Sequence, residues 1–276
     1  MSGTLYVVAT PLGNLGDLSP RAAETLRAVA LVAAEDTRRT RPLLTHIGAR
    51  ARLRSYHAHS EPGRRDALLA ALADGHDVAL VTDAGTPTIS DPGADLVAAA
   101  RAAGVPVVVI PGPSAVTAAL SGAGLPADRY TFLGFLPRKG PDRAERLAEI
   151  ATSRVTVVVF EAANRLADLL ADLAAAAGGA REATVARELT KRHEELRAGT
   201  LHDLAGYYAA HEPRGEVTVV VAGAPAPVSQ PANDAALLAE ARRLLAQGMT
   251  RRDVARRLAD AFGVSRNAAY ALVASL

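Results

Sequence analysis

The feature that most restricts this chain is an alternation: short runs of aliphatic residues, each followed by a loop rich in Gly, Pro and Asp and then by an alanine-rich stretch with helical spacing. Such runs fall at residues 5–9, 31–34, 78–82 and 107–110. Short apolar runs separated by helices predict βαβ units and a mostly parallel sheet. The punctuation agrees. Ser19 is an N-cap with Pro20 at the first helical position, and Gly75 and Gly104 close the helices that precede the third and fourth runs. A second series follows at residues 155–160, 183–186 and 217–222, with a helical stretch at 166–177.

Residues 125–141, rich in Gly, Pro and aromatics, break the rhythm and divide the two series. The expected organisation is α/β: an N-terminal α/β domain over 1–124, a second α/β domain over 125–223 with a cleft between them, a linker over 224–232 and a basic helical extension over 233–276. Pro225, Pro227 and Pro231 make the linker semi-rigid. In the extension, Thr250 and Ser265 as N-caps around a turn at Gly263 predict a layout like a helix-turn-helix.

With no cysteine, the chain has no disulfide, thiolate metal site or thiol nucleophile. No apolar run approaches the roughly eighteen residues of a spanning helix, so a soluble, cytoplasmic protein with no membrane partner is expected. A formal charge of +2 does not by itself call for a polyanion. Its distribution says more: Arg242, Arg243, Arg251, Arg252, Arg256, Arg257 and Arg266 crowd the tail against Asp234, Glu240, Asp253 and Asp260. That tail reads either as a surface for a polyanion or as a solvated face or dimer contact. Lys139 and Lys191 are the only lysines, so a site needing an ammonium that can lose its proton must draw on these two.

In an open parallel sheet, ligands gather beyond the carboxyl ends of the strands, where loops meet helix N-termini. Here those positions hold TPLGNLGD (residues 10–17), EDTR (35–38), DAGTPTISDPG (83–93) and PGPSA (111–115), all on one rim. The second series repeats the habit, with charged segments at 161–165 and 187–191. Two such rims facing each other make a cleft with room for a flat base and a flexible chain. No G-x-G-x-x-G follows the first strand, and G-x-x-x-x-G-K-[ST], H-E-x-x-H and G-x-S-x-G are all missing. Dinucleotide dehydrogenases, Walker-type NTPases, zinc proteases and α/β-hydrolases are therefore disfavoured. His57 and His59 lack a third ligand and read as surface histidines, with no metal expected.

Together with GFLPRKG (134–140), RELTK (187–191) and GEV (215–217), these loops resemble the small-subunit ribosomal RNA cytidine 2′-O-methyltransferases, a branch of the class III tetrapyrrole-methylase superfamily. The resemblance covers almost the whole chain. It implies S-adenosylmethionine bound between two α/β domains, a homodimer, and methylation of a cytidine ribose (cytidine 1402) in 16S ribosomal RNA or the small ribosomal subunit. It also implies cofactor contacts from Pro11, Asp83, Ala84, Gly85, Thr86, Ile89, Ser114 and Ala115, closed from the second domain by Glu161 and Ala186. Plain core packing is the other reading of Ile89 and Ala186. Arg38, Arg138, Lys139 and Arg187 are expected to face RNA, and Lys191, Glu188, Glu35 or Asp36 to handle the hydroxyl proton. Glu188 reads equally as part of an ion-pair brace.

The chain departs from that pattern at residues 160–165, which lack a Pro-His pair, and at Arg39, Thr88 and His193, where a histidine, an aliphatic and an aromatic are usual. These departures are expected to be peripheral. A tetrapyrrole methyltransferase of the same superfamily would have little use for EDTR, GFLPRKG or the basic tail. A non-catalytic RNA-binding scaffold would not need the glycine loops.

Overall fold

In the computed structural model, which describes residues 2–57, 61–225 and 234–276, the first series builds one parallel sheet. Its strands are β1 (Leu5–Val8), β2 (Leu31–Ala34), β3 (Arg52–Ser55), β4 (Val78–Val81) and β5 (Val107–Ile110), in the order β3-β2-β4-β1-β5. The central strands β2 and β4 are buried along their whole length, as a parallel sheet covered on both faces requires. Helices α1 (Pro20–Ala28) and α2 (Thr37–His46) cover one face through Leu26, Leu43 and Leu44. The other face is covered by α3 (Pro62–Ala73) and α4 (Ala94–Ala102) through Leu68, Leu72 and Leu96. The chain steps outward from β1 to β3, then returns to insert β4 beside β1. The loops after β1 and β4 thus become neighbours at the place where the order reverses.

The second sheet is mixed, not parallel. After α5 (Ala115–Ala123) come β6 (Tyr130–Phe135), α6 (Pro141–Thr152), β7 (Thr156–Ala162), α7 (Leu166–Ala177), β8 (Glu182–Arg187), β9 (Glu195–Thr200), α8 (Leu201–Ala210) and β10 (Glu216–Val221). The order is β6-β7-β10-β8-β9, with β10 antiparallel to both β7 and β8. Strands β6, β7 and β8 therefore end, and β10 begins, on the same rim. Period-2 alternation divides the faces. Val157 and Val159 of β7 and Val217, Val219 and Val221 of β10 join Leu166, Leu170, Leu173 and Leu201 in one core. Val158, Ala186 and Val220 point the other way, onto Val116, Ala119 and Leu120 of α5.

That packing crosses the division expected at residue 124. By chain order α5 belongs with the first sheet, yet its apolar face covers the second, and residues 1–224 form one compact unit. The strands without a counterpart in the apolar pattern, β3, β6 and β9, are all edge strands, and β6 lies inside the segment read as a boundary. An edge strand exposes one side and needs no continuous apolar run.

The second unit, residues 225–276, contains α9 (Asp234–Ala246), α10 (Arg251–Phe262) and α11 (Arg266–Ala274) around Leu237, Leu244, Val254, Leu258 and Val273. Thr250 and Ser265 cap α10 and α11 by accepting the N–H of Asp253 and Ala268, and Gly263 turns the chain in the left-handed region. Residues 226–232 of the expected linker, and His59, lie outside the described residues. No described helix is long and apolar enough to cross a membrane.

Candidate active site

The two rims enclose a cavity of about 420 Å³. One wall begins where the loops after β1 and β4 are stitched together: Thr10 and Gly85 exchange backbone hydrogen bonds of 2.8 and 3.0 Å. Gly85 takes φ +88°, a conformation that strains any side-chain-bearing residue, and a Cβ there would lie 3.3 Å from Leu12 Cδ2. Thr86 Oγ1 donates to the Pro113 carbonyl (3.0 Å), joining this loop to the one that opens α5. At that helix start Ser114 makes no side-chain cap, which leaves first-turn amides for a ligand.

Of the residues expected to hold the cofactor, Asp83, Ala84, Gly85, Thr86 and Ile89 line this cavity from the first sheet, and Ser114 and Ala115 from α5. Glu161 and Ala186 line it from the second sheet. Pro11 does not; the adjacent Leu12 takes its place. Ile89 is 42% exposed, which removes the core-packing alternative for it, whereas Ala186 both lines the cavity and packs against α5. The Glu161 carboxylate is buried, accepts the Ala162 N–H (2.8 Å) and pairs with Arg165.

The backbone is strained at the same place. The four non-glycine residues with positive φ among those described are Thr88 (73°) and Ser90 (63°) in one loop, and Glu188 (51°) and Thr190 (66°) in the facing one. A β-branched threonine in this region is unusual, and strain of this kind concentrates at ligand sites. Gly134, in an irregular part of β6, allows Ser90 to approach: a Cβ there would lie 2.8 Å from Ser90 Oγ.

Charged groups run across the mouth in a chain. Lys191 Nζ lies 3.0 Å from Glu188 Oε1 and 3.1 Å from Glu216 Oε2. Glu216 also approaches Arg39 (4.0 Å), and Arg39 approaches Asp83 (3.4 Å). Asp83 Oδ1 accepts the Asp36 N–H (3.0 Å), and Glu35 accepts from the Thr82 hydroxyl (2.7 Å). Arg39 thus belongs to the cavity wall, correcting its expected peripheral place. The stem of Lys191 rests on the first loop, where a Cβ at Gly13 would come within 2.2 Å of its Cγ.

Burial works against the Lys191 ammonium, but hydrogen bonds to Glu188 and Glu216 outweigh it and raise its pKa above the ordinary lysine value. Glu188 responds in kind: burial pushes it up, and Lys191 with the Glu216 N–H pulls it below the usual range. Asp36 caps α2 by accepting the Arg38 N–H (2.8 Å), and the Arg38 guanidinium holds its carboxyl down to about 2. Burial, with Glu35 and Asp83 close by, instead pushes Asp91 up to about 6.

Glu35 lines the cavity; Lys191 and Glu188 stand at its edge, behind Glu216. Asp36 and Arg38 lie outside, Arg38 with its side chain 89% exposed. Arg138 and Lys139 are exposed beyond β6, and Arg187 lines a separate cavity with Glu188. Asp91, Glu216, Phe135 and Phe160 line the main cavity without having been singled out as site residues. Asp91, Glu216 and Phe135 lie in DAGTPTISDPG, GEV and GFLPRKG, so their motifs pointed to them, whereas Phe160 falls in the stretch that departs from the family pattern. Among the described residues, no group of His, Cys, Asp and Glu is arranged to hold a metal ion.

The residues present suit S-adenosylmethionine. The cavity volume is within the usual range for small-molecule sites. Apolar Leu12, Ile89, Phe135 and Phe160 can receive an adenine, while Asp83, Asp91 and Glu216 offer negative charge to a cationic sulfur and amine.

Comparisons with known proteins agree. The model of the tetrapyrrole (corrin/porphyrin) methylases matches residues 4–205. A protein of Synechocystis sp. named ribosomal RNA small subunit methyltransferase I is 46% identical, covering 98% of this chain and 97% of that protein. Proteins of the same name from Xylella fastidiosa (strain Temecula1) and Escherichia coli O157:H7 are 47% and 43% identical, covering 97% of this chain and 98% and 93% of theirs. Among solved structures, a cobalt precorrin-4 methyltransferase has a TM-score of 0.63 at 17% identity, covering 79% of this chain and 94% of that one. A uroporphyrin-III C-methyltransferase from Thermus thermophilus, complexed with S-adenosylhomocysteine, has a TM-score of 0.58 at 19% identity, covering 80% and 97%. At those identities the structures show the fold, and the family follows from the sequence matches: the chain belongs to the tetrapyrrole methylases, in the branch of the ribosomal RNA small subunit methyltransferase I proteins.

Proposed function

We propose that this protein transfers a methyl group from S-adenosylmethionine to the ribose 2′-hydroxyl of a cytidine in 16S ribosomal RNA, cytidine 1402 by family resemblance. It would act in the cytoplasm as a homodimer, on the RNA or the assembled small subunit. The observation that carries this reading is a single cavity walled by both sheets, acidic within and with the Lys191 cluster on its lip.

When bound, the cofactor supplies a methyl group on a positively charged sulfur, open to attack by an oxygen lone pair. This chain's residues do the rest. The strained loop carrying Thr88 and Ser90 and the Thr10–Gly85 stitch fix one wall, so that alignment is set before substrate arrives. Phe135, Phe160 and Ile89 exclude water. The Lys191 ammonium, held charged by two carboxylates, stabilises negative charge that develops on the attacking oxygen.

The hydroxyl proton goes to a wall carboxylate, directly or through a water. Asp36 and Glu188 have lowered proton affinity and Lys191 already carries its proton, so these suit the task poorly. Asp91 has the raised affinity that a base working near neutrality needs, with Glu35 beside it. Arg38, Arg138 and Lys139, all exposed, would contact phosphates, and the exposed Arg251, Arg252, Arg257 and Arg266 make the helical unit a further candidate for phosphate contacts.

The test combines purified protein, S-adenosylmethionine with an isotope-labelled methyl group and small subunits from a strain lacking the protein. Mass spectrometry should find the label on one cytidine ribose. No transfer to RNA, or transfer to a tetrapyrrole instead, overturns the reading. Removing residues 232–276 should weaken RNA binding and flatten its salt dependence while leaving cofactor affinity unchanged; unaltered RNA binding would dismiss the extension from recognition.

A further inference from the structure

Beside the main cavity lies a second, of about 390 Å³, that no step above uses. The two share a thin wall. Glu188 and Arg214 line the second cavity, while their chain neighbours Leu189 and Gly215 line the first. The backbone at residues 188–189 and 214–215 therefore passes between the two cavities.

The second cavity is built around a column of flat groups. The Arg197 guanidinium lies 3.6 Å from the Tyr207 ring centre, and the His211 ring stacks on Tyr207 at 4.3 Å with planes 14° apart. Tyr207 and His211 are four residues apart, and the imidazole Nδ1 is 2.9 Å from the Tyr207 backbone oxygen, which fixes the ring. His211 is exposed, so the column ends on an accessible imidazole.

Polar groups surround it. Tyr208 is 3% exposed, and its hydroxyl is buried without a hydrogen-bond partner. Burial pushes that phenol up to about 12, keeping it an O–H donor. Arg187 is fixed by Glu195 (3.0 Å), whereas exposed Arg214 has no ion pair among the described residues. Glu212 on the same wall is an acceptor for amino groups.

A flat ring with an open face, a cation available to an anion and an acceptor at the side match a nucleotide. We propose that the second cavity receives the nucleotide adjoining the methylated one, its base stacked on His211 and its phosphate against Arg214. This inference rests on the RNA reading above, because continuity of one strand across the shared wall is what brings a nucleotide here.

The test uses the full chain and the variants His211→Ala, His211→Phe and Arg214→Ala, all at exposed positions. Binding is measured by fluorescence anisotropy with a labelled single-stranded pentaribonucleotide centred on cytidine, and transfer on small subunits lacking the methyl group. Each alanine variant should bind the pentanucleotide about tenfold more weakly and show a raised KM, with kcat and cofactor affinity unchanged. Arg214→Ala should also reduce the salt slope by about one, and His211→Phe, which keeps a stacking face, should restore binding. Affinities and KM within about twofold of wild type in both alanine variants, or failure of His211→Phe to rescue, overturn the subsite. If the wild-type chain methylates RNA and the variants are normal, the subsite alone falls. Binding without methylation sinks the reaction reading and leaves the variants to decide the subsite. Neither binding nor methylation sinks both.

Discussion

The two loops that meet over the main cavity are held by different forces. In the first sheet's loop, covering residues 83–91, the backbone is the fixture: Thr88 and Ser90 are forced to positive φ, Gly85 is stitched to Thr10, and Thr86 is tied to Pro113. In the second sheet's loop, covering residues 188–194, positive φ recurs at Glu188 and Thr190, but side-chain positions are set by charge, with Lys191 held between Glu188 and Glu216. Backbone hydrogen bonds hold whatever the salt and pH, whereas exposed ion pairs answer to both. On the proposed reading, the first loop fixes a small molecule and the second responds to a reacting oxygen and a polyanion. Damage to the backbone of the first should therefore appear in cofactor affinity, and damage to the charges of the second in turnover.

The sharpest break of that contrast is Lys191→Met, which keeps the stem packed over Gly13 and removes the charge. Turnover should fall by about a hundredfold or more, the usual effect of removing a donor aimed at developing charge. Cofactor affinity measured by calorimetry should stay within about twofold, because Lys191 does not line the cavity. A large loss of cofactor affinity would show that the second loop also holds the small molecule.

Two glycines give a finer comparison, because they have nearly equal φ and lie on opposite walls. A Cβ at Gly215 (φ +89°) would lie 1.9 Å from Glu188 Oε1, so Gly215→Ala must push Glu188 away from Lys191. A Cβ at Gly85 (φ +88°) would meet Leu12 at 3.3 Å, within the cofactor wall. Both carry a similar left-handed strain of about 1 kcal/mol. Gly215→Ala should lower kcat by roughly tenfold with cofactor Kd preserved, and Gly85→Ala should raise cofactor Kd by roughly tenfold with kcat at saturation preserved. Equal effects of the two on both constants would mean that the loops work as one body.

The same division explains what was legible in the sequence. The first sheet announces itself because buried parallel strands must be continuously apolar, and loops such as DAGTPTISDPG carry the glycines and prolines that tight backbone demands. Strands β3, β6 and β9 were not legible, since RLRS and ELRAGT are edge sequences whose exposed sides tolerate charge. The placement of α5 on the second sheet was hidden too: its buried residues Val116, Ala119, Leu120 and Ala123 mark an apolar face without naming what it covers. At the site, backbone-dependent residues such as Gly85 and Thr86 could be read from motif chemistry. Arg39 and the Tyr207–His211 stack could not, because their roles depend on partners brought together by the tertiary fold.

Within the first wall, Asp91 provides the pH test. Its carboxyl is pushed up to about 6, and a base works only when deprotonated. Turnover at saturating substrates should therefore rise with pH through about 6 and level off above it, falling toward tenfold per unit on the acidic side. In Asp91→Asn that limb should vanish and the plateau should drop by about tenfold or more, the typical contribution of general-base catalysis being large. A limb near pH 6 that survives the substitution assigns the proton to another group, with Glu35 the next to replace.

The smallest effect is expected at Asp36, and it separates the two ways in which an acidic residue can occupy this rim. Its carboxylate caps α2 through the Arg38 N–H and is gripped by the Arg38 side chain at 2.7 Å, and this hydrogen bonding holds it at about 2. A group so weakly basic cannot gain a proton at neutral pH, and its side chain lies outside the cavity. Asparagine caps a helix about as well as aspartate, so Asp36→Asn should leave the melting temperature unchanged and kcat within about twofold of wild type. A collapse of kcat on the scale of Lys191→Met, with the fold intact, would put Asp36 in the proton path. The reacting hydroxyl would then approach along α2 and not over the wall that holds Asp91.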